Sequence, residues 1–156
     1  MKNKIFAISI LIFLIPLVAL GQSALDYLKP DFGRKIGVCS VCNMDVFEKM
    51  MTSVEILVDD TVYHACGIGC ATAIMEGKNV KDVKVVDFKT FKLVDAKKAW
   101  FVTGSVISPA RAMLPEFSFS SKEDAESFSK LYGGHIFSYQ EIIDLAKKIR
   151  KEREKK

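Results

Sequence analysis

Four cysteines constrain this chain more than any other feature. Cys39 and Cys42 form a C-x2-C pair and Cys66 and Cys70 a C-x3-C pair, with 23 residues between the pairs. Disulfide frameworks of small exported domains scatter their cysteines, whereas two close pairs carry the spacing of metal ligands offered by two short segments. The chain between the pairs must then turn back on itself, and its pattern does so. Val54, Ile56 and Val58 read as alternating with polar positions, which is the period of a half-buried strand. Asp59-Asp60 reads as a turn and Thr61–His64 as the returning strand of a hairpin. Gly67–Glu76 follows as a short helix stopped by Gly77, and Val83–Phe88 as a buried strand.

The second half has no cysteine but runs in a similar order. Phe91–Val94 and Ala99–Thr103 are strand-like, with a short third segment at Phe117–Phe119. Ser121-Lys-Glu-Asp124 opens a helix with a capping-box pattern, and Gly133-Gly134 closes it. His135–Ser138 is a further strand. Ser138-Tyr-Gln-Glu141 then caps a final helix whose apolar stripe is Ile142, Ile143, Leu145, Ala146 and Ile149. The expected class is α+β, two tandem small β-β-α-β modules with a C-terminal helix. The expected division is a leader at 1–21, an irregular lead-in at 22–37, a cysteine-rich metal-binding module at 38–88 and a second module at 89–156. Each module alone would bury little core, so the two should pack together or lean on a metal or a partner. Without cysteines, the second module is expected to be a scaffold or docking surface.

Charge narrows the partners. The net charge is +4, yet residues 147–156 alone hold seven Lys and Arg against two Glu. With that tail and the leader's Lys2 and Lys4 set aside, residues 22–146 carry −3. A body of that sign does not grip nucleic acid. The tail reads as the solvated end of the last helix. At the other end, Lys2 and Lys4 precede an apolar run from Ile5 to Leu20, interrupted by Pro16. The run is short against the ~20 residues that span a bilayer, and Ala19 and Gly21 are the small residues a signal peptidase reads. A cleaved export signal, with Gln22 at the mature N-terminus, is expected ahead of a retained anchor.

The ligand chemistry is soft. In extended chain Cys42 and Met44 would face the same way, a thiolate beside a thioether, and Cys39 could fold back across a tight turn. That set selects Cu(I), since zinc sites rarely use methionine; core packing is the competing role for Met44. If Cys66 starts the helix, Cys70 lies one turn on along the same face, and the helix N-terminus would lower the thiol pKa. His64, ending the hairpin strand, is a third-ligand candidate or a polar strand end; His135 reads as a solvated loop residue. Four cysteines at this spacing equally suit a structural Zn²⁺. Thiol–disulfide catalysis is less supported, because Cys39–Cys42 leads into Met-Asp-Val-Phe instead of a helix start. No Ser–His–Asp, paired-carboxylate or phosphate-cradling pattern stands out, and a binding protein is expected in place of an enzyme.

Several stretches resemble the NosL family, accessory proteins of nitrous oxide reductase maturation. Val38-Cys-Ser-Val-Cys-Asn-Met44 is similar to the family's C-x-x-C-G-M opening, and Asp95–Ser105 to its D-A-x-x-A-x-(Y/F)-V-x-G-S stretch. Ala112-Met113, Phe117–Ser121 and Gly133-Gly134-His135-Ile136 match later segments, so the resemblance spans roughly residues 38–150. It implies an exported, periplasmic Cu(I)-binding protein that hands copper to a multi-copper enzyme. Its implied partners are that enzyme and a periplasmic component working beside an ABC transporter. Cys42 and Met44 carry over as Cu(I) ligands with Cys39 beside them, and Met113 falls on the family's second-module methionine. Three features depart from the family pattern. Gln22 stands where a lipid-bearing Cys would be, so no lipid anchor is expected. Asn43 replaces Gly at a position whose left-handed backbone Asn tolerates. The Cys66–Cys70 pair resembles the YHS/TRASH type of metal module.

Overall fold

A computed structural model describes residues 37–46, 48–109 and 112–155 of the 156. The expected export signal with Gln22, and the lead-in up to residue 36, lie outside the described residues. Among the described residues no helix is long and apolar enough to cross a membrane.

Strand β1 (Val54–Val58) buries Val54, Ile56 and Val58 and leaves Glu55 and Leu57 half-covered, the alternation read from the sequence. Strand β2 (Thr61–Ala65) returns antiparallel across Asp59-Asp60, with Asp59 in the left-handed region at φ 50°. Helix α1 (Ile68–Met75) follows and ends before Gly77, whose φ of 67° is the left-handed stop its sequence position suggested. Strand β3 (Val80–Val86) then pairs with the free side of β1, antiparallel and with a bulge at Leu57/Val58.

The next strand, β4 (Leu93–Asp95), does not join the second sheet. It pairs with β3, Lys84 opposite Asp95, and completes a four-stranded sheet of order β2-β1-β3-β4. The short connection decides this. The Asp87 amide donates to the Lys92 carbonyl at 2.8 Å, and Asp87 Oδ2 accepts from the Thr90 amide and hydroxyl at 2.9 and 2.5 Å. A turn closed so locally makes the neighbouring antiparallel pairing the accessible one.

The second sheet, order β6-β5-β7, is fully antiparallel: β5 (Trp100–Thr103) lies between β6 (Glu116–Phe119) and β7 (His135–Ser138). Helix α2 (Lys122–Tyr132) connects β6 to β7, and α3 (Tyr139–Glu154) ends the fold. Both caps form: Ser121 Oγ accepts from the Asp124 amide at 3.1 Å, and the Ser138 amide donates to Glu141 Oε2 at 2.7 Å.

Two core clusters form, and the larger is shared by both units. Strand β5 is buried on both faces: Phe101 packs with Ile56, Ile68 and Val83 of the first unit, and Val102 packs with Phe117, Phe119 and Phe128. Ile142, Ile143 and Ala146 of α3 also enter the first unit's core. The order β-β-α-β thus occurs twice as expected, with the C-terminal helix laid across the first unit.

Candidate metal centre

The first cysteine pair sits in a tight reversal. Val38 and Asp45 form an antiparallel bridge, the Cys39 amide donates to the Met44 carbonyl at 2.8 Å, and the Asn43 amide to the Cys39 carbonyl at 3.0 Å. Closing so small a loop requires a left-handed residue, and Asn43 supplies it at φ 62°. The Ser40 amide donates to the His64 carbonyl at 3.0 Å, which fastens this loop to the end of β2. The second pair straddles the start of α1. Thr52 Oγ1 donates to the Cys66 carbonyl at 2.6 Å, and the Ala71 amide to the Gly67 carbonyl at 3.0 Å, so Cys66 and Cys70 stand one turn apart.

These two segments bring all four sulfurs within 4.8 Å of one another. Cys42 and Cys66 Sγ are 3.5 Å apart, and Cys66 and Cys70 Sγ 3.7 Å. A tetrahedral metal with ~2.3 Å bonds to sulfur sets its ligands about 3.8 Å apart, so the spacing already suits a single ion. Cys39 is the floor, 1% exposed, and Cys42 the exposed lip. Above them opens a cavity of about 620 Å³, whose lining includes Met44 and Met113. Met113 lies directly on Gly69: a Cβ there would collide with its methyl group.

Charge on the thiols is shared unequally. Cys39 is held far below the usual thiol range by hydrogen bonds from Cys66 and Cys70. Its neighbours move the other way: Cys66 is pushed up by the bond it donates to Cys39, and Cys70 is pushed up to about 12 for the same first cause. Lowering of the Cys66 pKa by the helix N-terminus, expected from sequence, is therefore not found. The first helical amide, Ile68 N, is taken by Glu116 Oε1 at 2.7 Å, and proximity to the Cys39 sulfur dominates. A cation entering the cluster binds thiolates, so its binding is coupled to loss of thiol protons.

His64 is half-buried on β2 opposite Glu55; burial lowers its pKa and the Glu55 carboxylate partly offsets this. The close group of ligand-type side chains contains the four cysteines and not His64. The second unit is more than a scaffold here. It supplies Met113, and from α3 come Arg150 and Arg153 on the cavity wall. Arg150 pairs with Glu76 at 2.5 Å, and Arg153 donates to the Met113 carbonyl at 3.3 Å. Glu116, which holds the start of α1, also belongs to that unit. A carboxylate in a strand and two arginines in a basic tail carried no local signal of this placement.

A model of the NosL family matches residues 34–146, more than half of the chain. The chain belongs to the NosL family. The crystal structure of the copper chaperone NosL from Shewanella denitrificans is similar in fold, with 25% sequence identity and a TM-score of 0.56. The similarity covers 69% of this chain and 90% of that one. No curated protein matches the chain. The NosL match takes in both sheets and the first half of α3, and the α+β architecture with its C-terminal helix is that of the family.

Proposed function

We propose that this protein is an extracytoplasmic Cu(I) carrier, not an enzyme, that receives copper in the cavity above Cys39, Cys42, Cys66 and Cys70 and passes it to a copper enzyme. One observation carries the proposal. In a chain of the NosL family, four thiols converge within 4.8 Å, and the cavity above them is also lined by the thioether-bearing residues Met44 and Met113. Thiolate and thioether are soft donors, which favour Cu(I) over the hard or borderline cations. The copper chaperone of similar fold supports the same cargo. Copper here is substrate: it enters through the exposed Cys42 and reaches the buried Cys39, with Met44 and Met113 as weaker donors along the way.

The recipient we infer is a nitrous oxide reductase-like enzyme, met beside a periplasmic component of an ABC transporter. The short apolar leader ahead of Gln22 supports export without a lipid anchor. A second reading, a structural Zn²⁺ that folds an interaction module, draws on the near-tetrahedral sulfur spacing of 3.5 and 3.7 Å. Metal analysis of the protein purified anaerobically from the periplasm separates the two. Stoichiometric copper supports the carrier, and zinc alone supports the structural site.

A further inference from the structure

We propose that Cys42 and Cys66 are a disulfide-accepting pair, a modification site at which a small or protein disulfide oxidises the cluster and expels its metal. The two sulfurs are 3.5 Å apart and come from different segments that face each other across the cluster. Those segments are held together by the backbone bond from Ser40 to His64, so closing the link requires little movement of the chain. The other choices are poorer. Cys66 and Cys70 lie on either side of the start of α1, four residues apart, with their sulfurs 3.7 Å apart, farther than the Cys42–Cys66 pair. Cys39 is 1% exposed and beyond the reach of an incoming disulfide, while Cys42 is exposed and lines the open cavity.

Accessibility orders the steps. The Cys42 thiolate attacks one sulfur of the incoming disulfide, forming a mixed disulfide and releasing the other sulfur as a thiolate. Cys66 Sγ then attacks Cys42 Sγ as its proton passes to the second incoming sulfur, forming the Cys42–Cys66 bond and releasing that sulfur as a thiol. Two protein thiols have been oxidised, one incoming disulfide has been reduced to two thiols, and the protons follow the leaving sulfurs. The link consumes one ligand from each segment and leaves only Cys39 and Cys70, so a metal held by the cluster departs with its charge unchanged. A four-thiol site grips soft metal tightly, and removing half of its donors provides a route to release. The release step rests on the copper-carrier reading; formation of the disulfide does not.

The test takes the exported protein, reduced and under nitrogen, and adds oxidised glutathione. Free thiols are trapped by alkylation at intervals and mapped by peptide mass spectrometry. The expected course is a glutathione adduct on Cys42 followed by the Cys42–Cys66 link. Cys66→Ser should stall at the Cys42 adduct, and Cys42→Ser should form neither. A first adduct on Cys66 or Cys70, or a link within either close pair, would overturn the pair assignment, and wild type alone decides this. In parallel, Cu(I)-loaded wild type is mixed with bicinchoninate and either oxidised glutathione or reduced glutathione at equal sulfur. Transfer on the order of ten-fold faster with the oxidised form is expected. Equal rates, with the link formed, would overturn expulsion. Failure to load copper at all would instead count against the carrier reading, with the thiol map still standing.

Discussion

Glu116 Oε1, on a strand of the second sheet, accepts a 2.7 Å hydrogen bond from the backbone amide of Ile68, the first residue of the helix that carries Cys70. Its other oxygen is buried without a partner. The second unit thereby holds the start of the metal-site helix, and Gly67 permits the approach: a Cβ there would lie 3.1 Å from Oε1. Burial with only one strong donor raises the Glu116 pKa from 4.5 to about 8.

That shift has a definite sign. Below pH 4.5 the carboxyl is protonated in folded and unfolded chains alike, and its contribution to stability is fully present. Between 4.5 and about 8 the unfolded chain loses the proton while the folded one keeps it, so stability falls with rising pH and levels off above 8. Glu116→Gln keeps an acceptor for Ile68 but cannot ionise. Urea unfolding of reduced, metal-free protein at pH 5 and pH 8 should find the variant gaining on wild type by up to about 1.4 kcal/mol per pH unit. The cysteines titrate in both chains and largely cancel. Parallel profiles would mean that Glu116 is ionised throughout.

Met44 tests the metal. Met44→Leu conserves volume and should cost under ~1.5 kcal/mol of stability, yet it removes a thioether from the cavity wall. In competition with a chromophoric chelator under reducing conditions, Cu(I) affinity should fall about tenfold, with a larger fall for Cys42→Ser. A structural zinc site predicts the reverse pattern: no metal effect at Met44, and collapse of the fold in Cys66→Ser.

Gly69 and Met113 should be coupled. Alanine suits a helix better than glycine by up to about 1 kcal/mol, but its Cβ here meets the Met113 methyl and approaches the Met113 Cβ to 3.3 Å. Gly69→Ala alone should therefore destabilise by roughly 1 kcal/mol and push Met113 off the cavity wall. Gly69→Ala with Met113→Ala should recover the helix gain. Simple additivity of the two changes in thermal unfolding would contradict the contact.

Asp87 joins the sheets. Its fully buried carboxylate accepts from the Thr90 amide, the Thr90 hydroxyl and the Ser120 amide, while Phe88 N donates to Ser118 O beside it. Asp87→Ala would orphan three donors and should cost roughly 2–4 kcal/mol in chemical denaturation. A loss below ~1 kcal/mol would show that water replaces the carboxylate.

What the sequence determined by itself was local. The alternation of Val54, Ile56 and Val58, the Ser121 and Ser138 caps, the stop at Gly77 and the left-handed Asn43 each depend on neighbours a few residues away. Such features leave a periodic or positional trace. The spacing of the cysteines likewise announced a ligand set before any fold was known. The tertiary structure alone decided which sheet takes β4, that Met113 lies on Gly69, and that α3 brings Arg150 and Arg153 to the cavity. It also sent Glu116 to the start of α1, 48 residues away along the chain, and Arg150 to Glu76, 74 residues away. These pairings depend on how two sheets with a shared core are oriented, and a single carboxylate or guanidinium carries no periodicity from which that orientation can be read.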